Sequence, residues 1–207
     1  MTATRLRDLA QRSAEAREAT LERCDLCGAP IAPAHRHLLD VEAATLQCAC
    51  RACAVLFDRE GTRFKLVPDR RLRLDDLPLD DVMWAELRLP VDIAFFHHSS
   101  RHGRVVAHYP SPMGATESQL DLAAWGLLVA EEPLLDTLEP DTEALLVNRA
   151  RGARRHWLVP IDECFSLVGL IRTRWRGLTG GREVWQAIGS FCDDLDRRSR
   201  RTNHEAA

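Results

Sequence analysis

The sequence predicts an α+β protein, and three observations carry the prediction. Two C-x-x-C knuckles lie near the N-terminus, two later pairs of β-rich segments are joined by turns, and the last apolar residues recur every three or four positions. In outline this is an N-terminal zinc-ribbon or treble-clef-like metal module joined to a mixed α+β domain with antiparallel hairpins and C-terminal helices. The expected divisions are an N-terminal helix over 1–22, a four-cysteine metal-binding module over 23–60, a connector over 61–78, the α+β domain over 79–196 and a flexible tail over 197–207.

Residues 1–22 place Leu6, Leu9 and Ala10 on one side of a helical projection, among arginines and glutamates, as a solvated helix does. The first knuckle, Cys24-Asp25-Leu26-Cys27-Gly28, then turns the chain, and Pro30 and Pro33 keep it extended. His35 to Val41 and Thr45 to Cys48 read as partner strands across a Glu42-Ala43-Ala44 turn. The second knuckle, Cys50-Arg51-Ala52-Cys53, leads into the apolar run Ala54 to Phe57.

Two C-x-x-C pairs let four sulfurs converge on one ion, because each knuckle turns both its thiols to the same side. The expected ligands are Cys24, Cys27, Cys50 and Cys53, and the expected cofactor is structural Zn2+, which accepts four thiolates in a closed tetrahedron. The same knuckles suit a single iron in a rubredoxin-like site, and the residues do not separate the two metals. Cys48 competes with Cys50, since Cys48-Ala49-Cys50 is itself a C-x-C; the two-residue spacer favours Cys50 with Cys53 and leaves Cys48 as a spare or packing thiol. His35 and His37 are each able to replace a thiolate, although four cysteines already complete the shell.

From 62 to 74, arginines interleave with Phe64, Leu66, Val67, Leu72 and Leu74, and Asp69, Asp75 and Asp76 accompany them. A solvated connector fits this mixture, with the domain boundary near Pro78. Beyond it, a short helix spans about Asp80 to Leu87, and Pro90 to Phe96 with Arg104 to Tyr109 form a hairpin. His97, His98, His102 and His108 cluster near its turn and read as surface histidines. Pro110 to Ser118 reads as a rigid loop opening into a helix that carries Leu120 to Leu128. Ala144 to Asn148 and His156 to Ile161 make a second hairpin, whose tip carries Arg149, Arg151, Arg154 and Arg155 as an exposed positive patch. A helix then runs from Ile161 to about Trp175, Gly180-Gly181 breaks it, and a last helix runs from Glu183 to about Asp196, with Val184, Trp185, Ile188, Phe191, Cys192 and Leu195 recurring every three or four residues.

The chain has 207 residues and a formal net charge of −3, with Lys65 its only lysine. That balance argues against a nucleic-acid partner. No apolar run is long enough to span a membrane, and the charged start lacks a signal-peptide core, so a cytoplasmic, reduced protein is expected. No nucleophile and base stand in a recognisable arrangement, so no catalytic residue is assigned and a non-enzymatic role is expected.

Taken as a set, Cys24 to Ile31, His35 to Asp40, Cys48 to Phe57, Tyr109 to Pro112, Gly114 to Ser118, Leu146 to Gly152, Trp157 to Cys164 and Trp175 to Gly177 carry a resemblance. With them the chain resembles a bacterial, mainly actinobacterial, family with a four-cysteine motif, encoded beside nickel-iron hydrogenase structural and maturation genes. The resemblance implies an accessory or assembly factor whose partner is a hydrogenase subunit or another maturation protein. The alternatives are a rubredoxin-like iron redox protein serving the hydrogenase and a zinc-ribbon transcriptional regulator.

Overall fold

The structure, a computed structural model, describes residues 22–58 and 63–202. The helix expected over 1–22 therefore lies almost wholly outside the described residues. The chain forms two compact units, Met1–Leu66 and Val67–Ala207.

The first unit holds a three-stranded antiparallel sheet in the order β2-β1-β3. Its strands are β1 (Arg36–Asp40), β2 (Thr45–Ala49) and β3 (Phe64–Leu66), and helix α1 (Arg51–Phe57) follows β2. Asp40 makes the β1–β2 turn possible. Its carboxylate accepts the backbone N–H groups of Glu42 and Ala43, both at 3.1 Å, so the turn donors are satisfied locally. The guanidinium of Arg63, with Nε at 2.8 Å from the same carboxylate, holds Asp40 well below the usual range, at about 2. The core beneath is small: Cys24, Ile31, Leu38, Ala49, Cys53 and Ala54.

The second unit is a seven-stranded sheet in the order β10-β4-β9-β8-β5-β6-β7. The strands are β4 (Leu72–Arg73), β5 (Ile93–Ser99), β6 (Arg104–Ser111), β7 (Gly114–Ser118), β8 (Glu143–Asn148), β9 (Arg155–Pro160) and β10 (Arg200–Arg201). Every pairing is antiparallel except β10 with β4. Side-chain alternation sorts the sheet into two buried faces. On one, Phe96, Ala107, Leu145, Val147 and Leu158 meet Trp84 of α2 (Asp81–Glu86) and Trp125 and Leu128 of α3 (Leu122–Glu131). On the other, the register aligns Phe95, Leu146 and Trp157, and this face meets α4 (Ile161–Arg174) and α5 (Gly181–Arg198). There the ring of Phe95 packs against Phe165 at 6.0 Å, and Trp157 Nε1 donates to Asp196 at 2.8 Å. Because both faces are covered, every residue of β8 is buried.

The α+β class, the antiparallel hairpins and the C-terminal helices of the sequence reading are all present. Asp80 and Asp121 cap α2 and α3 through their carboxylates, which accept from Met83 N at 2.8 Å and Ala123 N at 3.0 Å. Between α4 and α5, Gly180 has φ 84°, and a Cβ there would lie 2.8 Å from Val184 Cγ1, so only glycine fits the turn.

Several segments differ from expectation. The stretch 61–78, read as a solvated connector, supplies β3 to one sheet and β4 to the other, and Val67, Leu74 and Leu77 are buried. Pro110 to Ser118 is not a loop: β6 continues to Ser111 and β7 returns alongside it, since the Ser111 hydroxyl donates to Gly114 O at 3.0 Å and accepts from Met113 N at 3.1 Å. Of the expected tail, residues 197–198 end α5 and 200–201 form β10, with the Thr202 hydroxyl donating to Arg73 O at 3.0 Å. His97 and His108 are half-buried rather than exposed. Their rings stack at 5.4 Å, and desolvation holds His97 down at about 4. Among the described residues no helix is long and apolar enough to cross a membrane.

The arginine cluster at the β8–β9 tip is the clearest correction. The hairpin forms as expected, but Arg149 turns inward, its side chain 3% exposed. Its Nη1 donates to Leu79 O at 2.5 Å, its Nη2 pairs with Asp81, and its guanidinium lies 5.4 Å from the Trp84 ring centroid. Arg154 shares Asp81, Arg155 pairs with Asp193 at 2.7 Å, and Arg151 covers the Trp185 ring at 4.6 Å. These arginines fasten the tip to the second unit. Arg149→Ala should lower the unfolding free energy by about 2–3 kcal/mol, because the Leu79 carbonyl loses its donor in the interior. Arg154→Ala, which removes a half-exposed pair, should stay within about 1 kcal/mol. Urea unfolding of the two variants checks the ordering.

Candidate metal centre

The first knuckle is built from short backbone bonds. Gly28 N donates to Cys24 O and Cys24 N to Ala29 O, each at 2.8 Å, and Gly28 has φ 73°, a turn position that glycine adopts without strain. Arg23 and Pro30 bridge its two ends. Two bonds then fix this knuckle against the second: Asp25 N donates to Cys48 O at 2.9 Å, and Cys48 N donates to the Asp25 carboxylate at 2.6 Å. The second knuckle is the start of α1. Cys50 is its N-cap, and the sulfur accepts from Cys53 N at 3.4 Å.

These constraints bring Cys24, Cys27, Cys50 and Cys53 together, with their four sulfurs all within 4.8 Å of one another. A tetrahedron with metal–sulfur bonds of about 2.3 Å has edges of roughly 3.8 Å. Cys27 and Cys50 lie 3.8 Å apart, so the donor set fits a tetrahedral thiolate ion. Cys24 and Cys53 are buried, Cys50 is half-buried and Cys27 is exposed, which puts the cluster at the edge of the small core.

Crowded thiols cannot all ionise unaided. Burial works against the Cys24 thiolate, yet backbone N–H groups of Cys50, Leu26 and Cys27 outweigh it and hold that thiol down at about 6. Burial, followed by the neighbouring sulfurs, pushes Cys53 up to about 12. A divalent cation removes that conflict by supplying the positive charge that four close thiolates lack.

The remaining sequence candidates fall elsewhere. Cys48 is directly opposite His37 in the β1–β2 ladder, and it groups with His35 and His37 rather than with the four sulfurs. Reading along the chain missed this grouping; its only signal was the H-x-H spacing facing a cysteine on the partner strand. Cys164 is wholly buried in α4, where desolvation pushes its thiol well up, so it serves packing.

Replacing Cys24, Cys27, Cys50 or Cys53 with Ser should each abolish the ion held by the four sulfurs, and Cys48→Ser should retain it. Cobalt titration reads the result directly, since the sulfur-to-cobalt absorption scales with the thiolates bound. Loss of the tetrathiolate spectrum in Cys48→Ser would reassign the second knuckle.

No curated protein and no solved structure matches the chain. Residues 23–199 match the model of DUF5947, described as a family of unknown function. The match opens beside the first knuckle and closes at Ser199, the C-cap of α5, so it takes in the four thiols, every strand but β10 and both C-terminal helices. The chain belongs to the DUF5947 family.

Proposed function

We propose that the protein is a non-enzymatic, cytoplasmic accessory or assembly factor for a nickel-iron hydrogenase, acting through a surface that a structural zinc ion organises. The observation that carries the reading is the tie between the thiol cluster and α1. Cys50 is at once a cluster thiol and the N-cap of that helix, which ends in Val55, Leu56 and Phe57. Val55 is 72% exposed and Leu56 59% exposed, although apolar residues of this size cost free energy when left in water. A bound ion would fix the helix start and so the placement of both side chains. Such an apolar face fits a protein partner, and the resemblance to proteins encoded beside hydrogenase genes supplies its class: a hydrogenase subunit or another maturation protein.

Co-expression with nickel-iron hydrogenase structural and maturation genes, followed by affinity capture, tests the reading. The parent chain should retain a hydrogenase subunit or maturation protein. The Val55→Asp/Leu56→Asp variant should lose at least about tenfold in capture, with metal content and melting temperature unchanged, because both side chains already face solvent. Equal capture by the variant would remove α1 from the interface.

The exposure of Cys27 favours a second reading, a rubredoxin-like iron protein that passes electrons to the hydrogenase, since an ion at this edge would lie close to the surface. The metal decides between them. The zinc reading expects one colourless ion in the four-thiol site; stoichiometric iron there, with visible sulfur-to-iron absorption, would select the redox role.

A further inference from the structure

A second donor set lies in the same unit, outside the four-thiol cluster. One ligand atom from each of His35, His37 and Cys48 lies within 4.8 Å of the others. The arrangement follows from the sheet. His37 and Cys48 are paired across β1 and β2, and His35 stands just before β1 with its ring 4.8 Å from that of His37, edge to face.

His35 carries the decisive detail. Its side chain is only 8% exposed, and its Nδ1 lies 2.9 Å from Ala32 O and 3.5 Å from the Glu22 carboxylate. A carbonyl can only accept, so Nδ1 holds the proton and donates it. Nε2 is then left with a lone pair. That nitrogen is buried and has no hydrogen-bond partner. A buried acceptor with nothing to accept is costly and uncommon in a folded protein. An imidazole that donates Nδ1–H to a carbonyl, with a carboxylate behind, and keeps Nε2 bare has the orientation that metal-bound histidines adopt.

We propose that His35, through Nε2, His37 and Cys48 form a second metal site for a zinc-class ion. Two imidazoles and one thiolate suit a borderline transition-metal ion, and the absence of oxygen donors from the set disfavours magnesium or calcium. Binding displaces the Cys48 thiol proton to solvent as the sulfur–metal bond forms. Three protein donors leave a fourth position for water or for a donor from another molecule, which the closed four-cysteine centre does not offer. The two centres thus differ in kind: one is built to hold structure, the other can exchange a ligand. The inference rests on the His35, His37 and Cys48 geometry alone and stands apart from the hydrogenase reading.

The test uses the full chain, stripped of metal under reducing conditions and equilibrated with zinc, then analysed for zinc per chain. The parent should take up two equivalents. His37→Ala and Cys48→Ser should each take up one, with the second equivalent weakened by about tenfold or more. Cys50→Ser should lose the other equivalent. Cobalt spectra keep the outcome readable: the tetrathiolate absorption must persist in His37→Ala, which shows that the unit is still folded. A parent chain that saturates at one equivalent, or a His37→Ala variant that still takes up two, would overturn the second site.

Discussion

Four thiols held within one small volume are the constraint on which the first unit depends. Among the described residues its core cluster contains six buried side chains, and two of them, Cys24 and Cys53, belong to the thiol cluster itself. So little apolar area cannot offset the ordering of the chain, and units of this size need a staple. The two knuckles are far apart in sequence and are brought together by the β1–β2 hairpin and by the paired bonds between Asp25 and Cys48. Without a cation those bonds work against the mutual repulsion of thiolates. With one they close a site whose binding free energy, on the order of 10 kcal/mol, becomes folding free energy.

The second unit solves the same problem by other means. Its central strand β8 is covered on both faces, and its edges are tied to the centre by arginine–carboxylate pairs that span long sequence distances. Arg70 on the approach to β4 bonds Glu143 at the start of β8, with Nε 2.9 Å from the carboxylate, and Arg71 and Arg198 both reach Glu163 of α4. Each carboxylate is nearly buried, so an unpaired charge there would be costly, and the planar fork of arginine can serve two acceptors at once. The abundance of arginine in the chain therefore has a structural use: much of it is consumed in fastening.

That use changes how the surface is read. Four arginines on one hairpin tip suggested an exposed positive patch, but Asp81, Asp193 and the Trp185 ring engage all four of them. What remains conspicuous is the apolar end of α1, whose start is a cluster cysteine, and the half-buried set of His35, His37 and Cys48 next to the knuckles in sequence. Both belong to the unit that holds the four-thiol cluster. A small unit gathered around four thiols, presenting an apolar helix end and a second set of donors, would be suited to meeting another protein once an ion fixes it.

Local chemistry was legible in the sequence. The two knuckles, both long hairpins and the C-terminal helices each depend on residues near one another in the chain, through C-x-x-C spacing, alternation between turn residues and the three-or-four-residue recurrence of Val184, Ile188, Cys192 and Leu195. The four thiols followed from spacing alone. What only the tertiary structure decided are the pairings between distant segments. Strands β4 and β10 have two residues each and carry no periodic signal, Asp81 takes up Arg149 from 68 residues further along the chain, and Cys48 joins His37 because the register of β1 and β2 sets them opposite each other. Spacing along one strand determines which side chains share a face, but the register between strands determines which of them can share an ion.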